Sequence, residues 1–315
     1  MEAASRMGDR RAIVSPEPTQ KPSAWIALRR IWAGRRTAVR VFCLIAAATV
    51  WSFWPTLVQL FGEWVHNPQY SHGLLVPAFS AVLLWMRRDR YPVRAAPAPL
   101  AGLALLTLGA AGRVFGGFMY VDWLEAASLL PCLLGVVLAF GGWRAVRWAA
   151  APVLFLIFMI PMPYRTTIWL AFPLQQLATT ASTYVLQTLG QPAIAEGNTI
   201  LIRDFQLSIV KACSGLSMLV TFVTFAMAVC LVVKKPITDK LLILLSAIPI
   251  ALAANVIRIV VTGVMFLHVS NEAAAAVFHD AAGWIMMPLA LAFLGVELWV
   301  LNRLFVDRRI RPVFR

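Results

Sequence analysis

The sequence predicts an all-α integral membrane protein of about eight transmembrane helices, with one outer-face segment that contains an interfacial helix and a short β-hairpin. Three observations predict it. Of 315 residues, 60% are apolar and only 13% charged, more apolar surface than a soluble domain of this length can bury. The apolar residues fall in long runs with short polar connections. The basic residues collect in alternate connections, which sets an orientation.

The first element is a basic tail. Residues 1–40 carry nine Lys/Arg, with Pro16 and Pro18 near the middle. Such a stretch cannot bury enough apolar surface to order itself, so it reads as a largely disordered cytoplasmic tail that turns helical near Trp25. A cleaved signal peptide competes, because Ala46-Ala47-Ala48 follows an apolar start. A basic region of this length is too long for one.

The membrane domain covers 41–304, and a basic cytoplasmic C-terminus, 305–315, follows. Apolar runs lie at Val41–Phe61, Gly73–Met86, Leu100–Tyr120, Val121–Phe140, Trp148–Pro161, Cys213–Val233, Leu241–Val269 and Gly283–Leu304. The second and fifth fall short of the ~20 residues a span needs and rely on flanking residues or a thinned bilayer. The seventh is long, and is expected to be tilted or broken near Asn255.

Charge tests the count. With the tail inside and each run crossing once, the inside segments are 1–40, 87–98, 141–147, 234–240 and 303–315. They hold 23 of the 28 Lys/Arg. The outside segments hold Arg165, Arg203 and Lys211, while Arg113 and Arg258 stay within spans. This is a positive-inside pattern with both termini cytoplasmic. It also accounts for a net charge of +14 without nucleic acid, since the charge is spread over membrane-facing loops and no reading motif is present. The expected partner of that charge is the lipid bilayer.

The large outer segment is 162–212. Tyr164–Gly190 mixes aromatics and leucines with Thr and Gln and has no acidic residue, the pattern of a helix or helix pair at the outer interface. The following "EGNTILIRDFQLSIVKA" alternates, with Phe205, Leu207 and Ile209 between Asp204, Gln206 and Ser208. It reads as a hairpin turning near Arg203-Asp204, and it delivers the chain to Cys213. The absence of an internal repeat argues against a transporter of inverted halves.

The four cysteines form no CxxC pair and no Cys/His cluster, so the sequence supports no metal site, no disulfide framework and no cofactor. Polar groups within spans are costly and are functional candidates by default. Asn255, Arg258 and Thr262 share one helix face at offsets of three and four. Arg258 is 17 residues past Leu241, about 26 Å along a core roughly 30 Å thick, hence near the outer surface. Cys213 opens span six and His279 lies four residues before span eight, both heading inward. The topology thus brings Cys, Arg and His to one depth from three consecutive spans.

The chemistry of that trio is coherent. A helix N-terminus and nearby positive charge favour the thiolate. A histidine can take the thiol proton and return it to a leaving amine. An arginine can stabilise the oxyanion or hold a carbonyl. Ser214 can cap the helix, and Gly215 leaves room for a substrate backbone. Asp280 orients His279 or caps span eight. Alternatives remain. Arg258 could snorkel into lipid, Cys213 could be structural, and His279 simply exposed. His268 is a rival base, and His66 and His72 lie in the first outer loop. Ser214 is a weaker nucleophile candidate without a G-x-S-x-G elbow. Arg113 is expected to pair with Asp122 or Glu125 structurally.

Several stretches in order resemble the exosortase/archaeosortase family of membrane transpeptidases: "YSHGLLVP" and "LLWMRR" within Tyr70–Arg88, "FMIPMP" at Phe158–Pro163, "EGNTI" at Glu196–Ile200, "ACSGL" at Ala212–Leu216, "NVIRIVVTG" at Asn255–Gly263 and "HDAAGW" at His279–Trp284. The resemblance covers roughly residues 45 to 300. It implies a multi-pass protein of the bacterial inner membrane with its active site facing the periplasm. It implies cysteine peptidase and transpeptidase activity, linked to extracellular polysaccharide, on exported proteins. Their C-terminal sorting tail has a Pro-Glu-Pro-like motif, a transmembrane helix and a basic cluster. The implied catalytic residues are Cys213, Arg258 and His279. His72, Glu196 and Asn198 lie in the shared blocks as supporting positions, with Ser214, Gly215, Asn255, Thr262 and Asp280. The acceptor could be water, a lipid or a polysaccharide. The chain lacks the soluble C-terminal domain of some relatives. The rival classes are a non-enzymatic polysaccharide or lipid translocation component, with Asn255 and Arg258 lining a path, and a scaffold for polysaccharide synthesis.

Overall fold

The computed structural model describes residues 24–92, 96–203, 205–208, 215–268 and a few positions between 292 and 299. The chain divides into two compact units, Met1–Ile45 and Ala46–Arg315. The first is helical from Ala24, where α1 (Ala24–Ser52) begins. Among the described residues the second includes α2 (Trp54–His66), a 3₁₀ segment (Pro68–Leu74), α3 (Leu75–Met86), α4 (Pro99–Phe118), α5 (Asp122–Ala127), α6 (Leu129–Phe155), α7 (Tyr164–Thr188), β1 (Ala193–Glu196), β2 (Thr199–Ile202), β3 (Phe205–Ser208), α8 (Leu216–Val232) and α9 (Ile237–His268).

Three stretches of helix among the described residues are long and apolar enough to cross a membrane: Pro99–Phe118, Asp122–Met159 and Ile237–Met265. A fourth is added if the bent pair Val39–Ser52 and Trp54–His66 is one span. The second stretch is longer than one crossing, and its packing shows why. Thr56 on α2 donates to Glu125 Oε1 at 2.7 Å, and Trp64 on the same helix donates to the Met159 carbonyl at 2.8 Å. Eight residues of α2 separate these anchors by about 12 Å, whereas a straight helix would carry Glu125 and Met159 about 50 Å apart. The stretch therefore doubles back. It does so at Gly142, whose φ of 66° and ψ of −175° lie outside the helical region and suit glycine alone.

This corrects the sequence expectation in one respect. The anticipated inner loop 141–147 is helical on both sides of a single broken residue. The two limbs still pack as separate rods. The first lies antiparallel to α4, whose Gly102, Gly109 and Gly116 are buried at every seventh position. A Cβ on Gly109 would stand 2.5 Å from Cys132 Sγ, and one on Gly116 2.6 Å from the Glu125 amide, while Gly102 meets the Ala139 backbone. Small residues in register allow this close approach, the usual basis of helix association in lipid. The second limb lies against α3, with Ser80 donating to the Pro152 carbonyl at 2.8 Å and Phe79 against Phe155. The opposite face of α4 exposes Leu100, Leu108, Val114 and Phe118, as a helix solvated by hydrocarbon can.

The sheet also exceeds the expectation. β2 and β3 pair antiparallel, with Ile202 opposite Phe205, and a further strand, β1, pairs with β2 through the turn Gly197-Asn198. "AIAE" offers little alternation, which hid the strand from the sequence pattern. The meander buries one face, Ala193, Ile200, Ile202 and Leu207, against Ala178 and Leu186 of α7 and Ile259 and Val260 of α9. The segment 164–188 is one helix. α9 is continuous through Asn255, with Pro249 inside it, so the anticipated break at Asn255 does not occur. At 32 residues it exceeds the ~20 that span a bilayer upright.

Candidate active site

The site grows from the start of α8 and the turns of α9 that face it. Along α9, residues 253, 257 and 261 are exposed, while Ala251, Ala254, Asn255, Ile259 and Thr262 are buried. Arg258 is half-buried and stands one turn from both Asn255 and Thr262, on the covered side of the helix rather than the open one. Thr262 Oγ1 donates to the Arg258 carbonyl at 2.7 Å. Its hydroxyl proton is therefore spent on its own helix.

Asn255 is 1% exposed, and neither its Nδ2 nor its Oδ1 has a hydrogen-bond partner among the described residues. Leaving a buried amide unsatisfied costs about 1–3 kcal/mol per group, so the position calls for a polar partner beyond the described residues or on a bound chain. What faces it is the start of α8. Gly215 precedes α8 with φ +62°, and a Cβ there would lie 3.2 Å from Asn255 Nδ2 and 3.7 Å from Leu174 Cβ. Gly215 and Asn255, 40 residues apart along the chain, thus meet side by side. The small residue at 215 lets them do so.

The outer segment closes this cluster from a second side. Asn198, in the turn between β1 and β2, donates through Nδ2 to Gln175 Oε1 at 2.9 Å. Gln175 is 7% exposed and neighbours Leu174, which touches Gly215. Leu174, Ala171, Leu216, Val220 and Met162 pack together. Met162 in turn lines a cavity of about 830 Å³, shared with Glu63, Asn67, Tyr70, Tyr120, Asp122, Trp123 and Arg165 among others. Burial raises the Tyr70 phenol above its ordinary value, opposed by hydrogen bonds from Thr167 and Met162.

The other anticipated residues divide. Cys213, Ser214, His279 and Asp280 lie outside the described residues. Glu196 ends β1 in solvent. His72 is buried in the 3₁₀ segment Pro68–Leu74, its Nδ1 3.3 Å from Thr221 Oγ1 of α8. Six residues, or about 9 Å of helix, separate Thr221 from Gly215. Burial pushes the His72 imidazole down to about 4, opposed by the Phe158 carbonyl. His66 is exposed, 3.0 Å from the Gly62 carbonyl. The side chain of His268 is outside the described residues. Arg113 resolves to Glu125, with Nε 3.7 Å from Oε1. It also donates to Ser52 and lies over the Phe53 ring.

Gln175 and Thr221 were missed from sequence. The signal for Gln175 was present: Ala171, Gln175, Ala178, Ser182 and Leu186 recur at helical spacing, and all are buried. A glutamine inside a small-residue stripe needs a partner. Thr221 carried no such signal in a uniformly apolar helix.

Neither a curated relative nor a solved structure matches the chain. A family model described as transmembrane exosortase (Exosortase_EpsH) matches residues 64–296. That interval takes in most of the cavity lining, the three-stranded sheet and the α8–α9 junction. It also holds the Cys213, Arg258 and His279 positions. On a match across well over half its length, the chain belongs to the transmembrane exosortase family.

Proposed function

We propose that the protein is a membrane-embedded cysteine peptidase and transpeptidase of the bacterial inner membrane, with both termini cytoplasmic and its site facing the periplasm. Its substrates are exported proteins with a C-terminal sorting tail: a Pro-Glu-Pro-like motif, a transmembrane helix and a basic cluster. The observation that carries the reading is the contact of Gly215 with Asn255. It supports a site in which Cys213, two residues upstream, stands at the mouth of α8 within reach of Arg258, one turn beyond Asn255.

The reaction follows from those groups. His279 takes the Cys213 thiol proton, and the thiolate adds to the scissile carbonyl carbon. Arg258 stabilises the oxyanion. The carbonyl–nitrogen bond then breaks, and His279 returns the proton to the leaving amine. The tail departs, leaving a thioester on Cys213. An acceptor hydroxyl or amine, from water, lipid or polysaccharide, attacks that thioester and restores the thiol. The cavity beside Met162 offers space for the chain that precedes the tail.

Co-expression with a tailed candidate tests the reading. Wild type is expected to release a shortened protein of defined mass, and Cys213→Ala to leave the substrate bound and uncut. Processing by Cys213→Ala at the wild-type rate would sink the proposal and favour a translocation component.

A further inference from the structure

At the end of the molecule opposite the cavity beside Met162, four arginines and one tryptophan converge on a single cavity of about 440 Å³: Arg87, Arg90, Arg144, Arg147 and Trp148. Arg87 closes α3 and Arg90 sits in the short 3₁₀ turn after it. Arg144 and Arg147 lie one turn apart in the limb of α6 that restarts after Gly142.

A positive-inside surface explains basic residues here but not their convergence. Like charges on flexible stems spread apart in water, and these are held together by the frame beneath them. The Trp148 indole donates to the Arg87 carbonyl at 2.7 Å, and the Tyr91 ring meets Trp148 edge-on at 5.2 Å. Among the described residues no carboxylate lines the cavity. Asp89, the acidic residue within the turn, engages Arg88 at 3.8 Å and is 89% exposed. Arg144 and Arg147 also occupy the first turns of a helix limb, where cations are disfavoured and anions favoured. The arrangement is complete only with an anion.

The surroundings say which anion. Trp85 and Trp143, both more than 60% exposed, flank the cavity on its two elements, and Met86 is exposed beside them. Amphipathic rings of this kind sit at the headgroup level. Basic pockets between membrane helices on the cytoplasmic side match phosphate-bearing headgroups, and guanidinium forks take phosphodiester oxygens in pairs. We propose that this cavity binds the phosphodiester headgroup of an anionic phospholipid from the inner leaflet, with Arg87 and Arg90 forking it from one side and Arg144 and Arg147 from the other. The leaflet rests on the orientation proposed above. The binding is read in detergent, where orientation plays no part, so the two fail separately.

The test is native mass spectrometry of the purified full chain in detergent with phosphatidylglycerol, cardiolipin or phosphatidylcholine. Wild type is expected to retain the two anionic lipids about tenfold over phosphatidylcholine. Arg144→Gln with Arg147→Gln should lose that preference, whereas Arg88→Gln, on the same turn but outside the cavity, should keep it. Arg144→Lys with Arg147→Lys retains charge and inner-face topology but lacks the fork. An intermediate retention there supports the proposal even if the glutamine pair folds poorly. Equal retention of anionic lipid by wild type and both double variants would overturn it. So would displacement of the lipid by millimolar inorganic phosphate, which would make the cavity a free-phosphate site.

Discussion

Gly215→Ala puts the α8–α9 junction under direct load. The residue has φ +62°, and an added Cβ would stand 3.2 Å from Asn255 Nδ2. Two costs follow. The left-handed backbone costs about 1–2 kcal/mol for any residue with a Cβ. The contact is a few tenths of an ångström too close, so Asn255 or the start of α8 must give. Displacing a catalytic group by 1 Å can cost about 10²-fold, so a shift of a few tenths is expected to slow tail processing about threefold to tenfold. Gly190→Ala is the control. Its φ is +78°, and nothing lies within 4 Å of the added Cβ. It carries the backbone strain alone, far from Cys213 in the chain. Gly215→Ala should lose more thermal stability in detergent than Gly190→Ala, by the cost of the contact, and only Gly215→Ala should lose rate per folded molecule. Adding Asn255→Ala removes the carboxamide that the new methyl meets. The pair should then show a coupling of about 0.5 kcal/mol or more in stability. Strict additivity, or an unchanged processing rate in Gly215→Ala, would refute the claim that this contact positions the nucleophile.

Three further outcomes follow from the structure. Gly142→Ala should cost more than about 3 kcal/mol, since its backbone region is open to glycine alone and the methyl would overlap the Ala96 carbonyl. Loss of folded protein on expression in membranes is the readout, and a normally folded Gly142→Ala would refute the doubling back of α6. Asn198→Ala strands the buried Gln175 Oε1 and should lower stability by about 1–3 kcal/mol, measured by thermal unfolding. The Asn198→Ala, Gln175→Leu pair should recover much of it. His72 is neutral in the fold, at about 4, and near 6.5 when unfolded. Its depressed value makes the folded state lose stability as pH falls from about 6.5 to about 4, by roughly 3 kcal/mol in total. His72→Gln should flatten the pH dependence of thermal unfolding across that window, and an unchanged slope would exclude His72 as its source.

Much of the fold was legible because lipid imposes simple rules. Apolar runs and alternating basic connections marked the rods of α3, α4, α6, α8 and α9. The pattern failed where its signal was one residue deep. Gly142 turns a chain that is helical on both sides, so a composition-based loop at 141–147 had the right place and the wrong form. The strand β1 was invisible because Ala193 and Ala195 contribute too little contrast to read as alternation. The Gly197-Asn198 turn beside it was the missed cue. α9 kept its helix through Asn255 because the Asn255 amide bonds no backbone group of its own helix among the described residues, so the helical ladder is undisturbed.

The site was legible by spacing but not by partnership. Offsets of three and four placed Asn255, Arg258 and Thr262 on one face, and the structure keeps that face covered. Yet the three residues turned out unlike. Thr262 is spent on the Arg258 carbonyl, so it shapes the helix and has no proton to offer a substrate. Asn255 is the reverse, a buried amide whose groups find no partner among the described residues. Desolvating it is worthwhile only if something polar arrives there, and the chain that arrives is the one leading out of Cys213. Arg258 is half-buried on that face, so part of its guanidinium stem is drawn out of water. A charge in such a place acts more strongly on a developing oxyanion than the same arginine at an open membrane surface. The β-meander therefore bears on the proposed chemistry through the backbone: by packing Ile200 and Ile202 with Ile259 and Val260, it fixes the turn of α9 that follows the arginine.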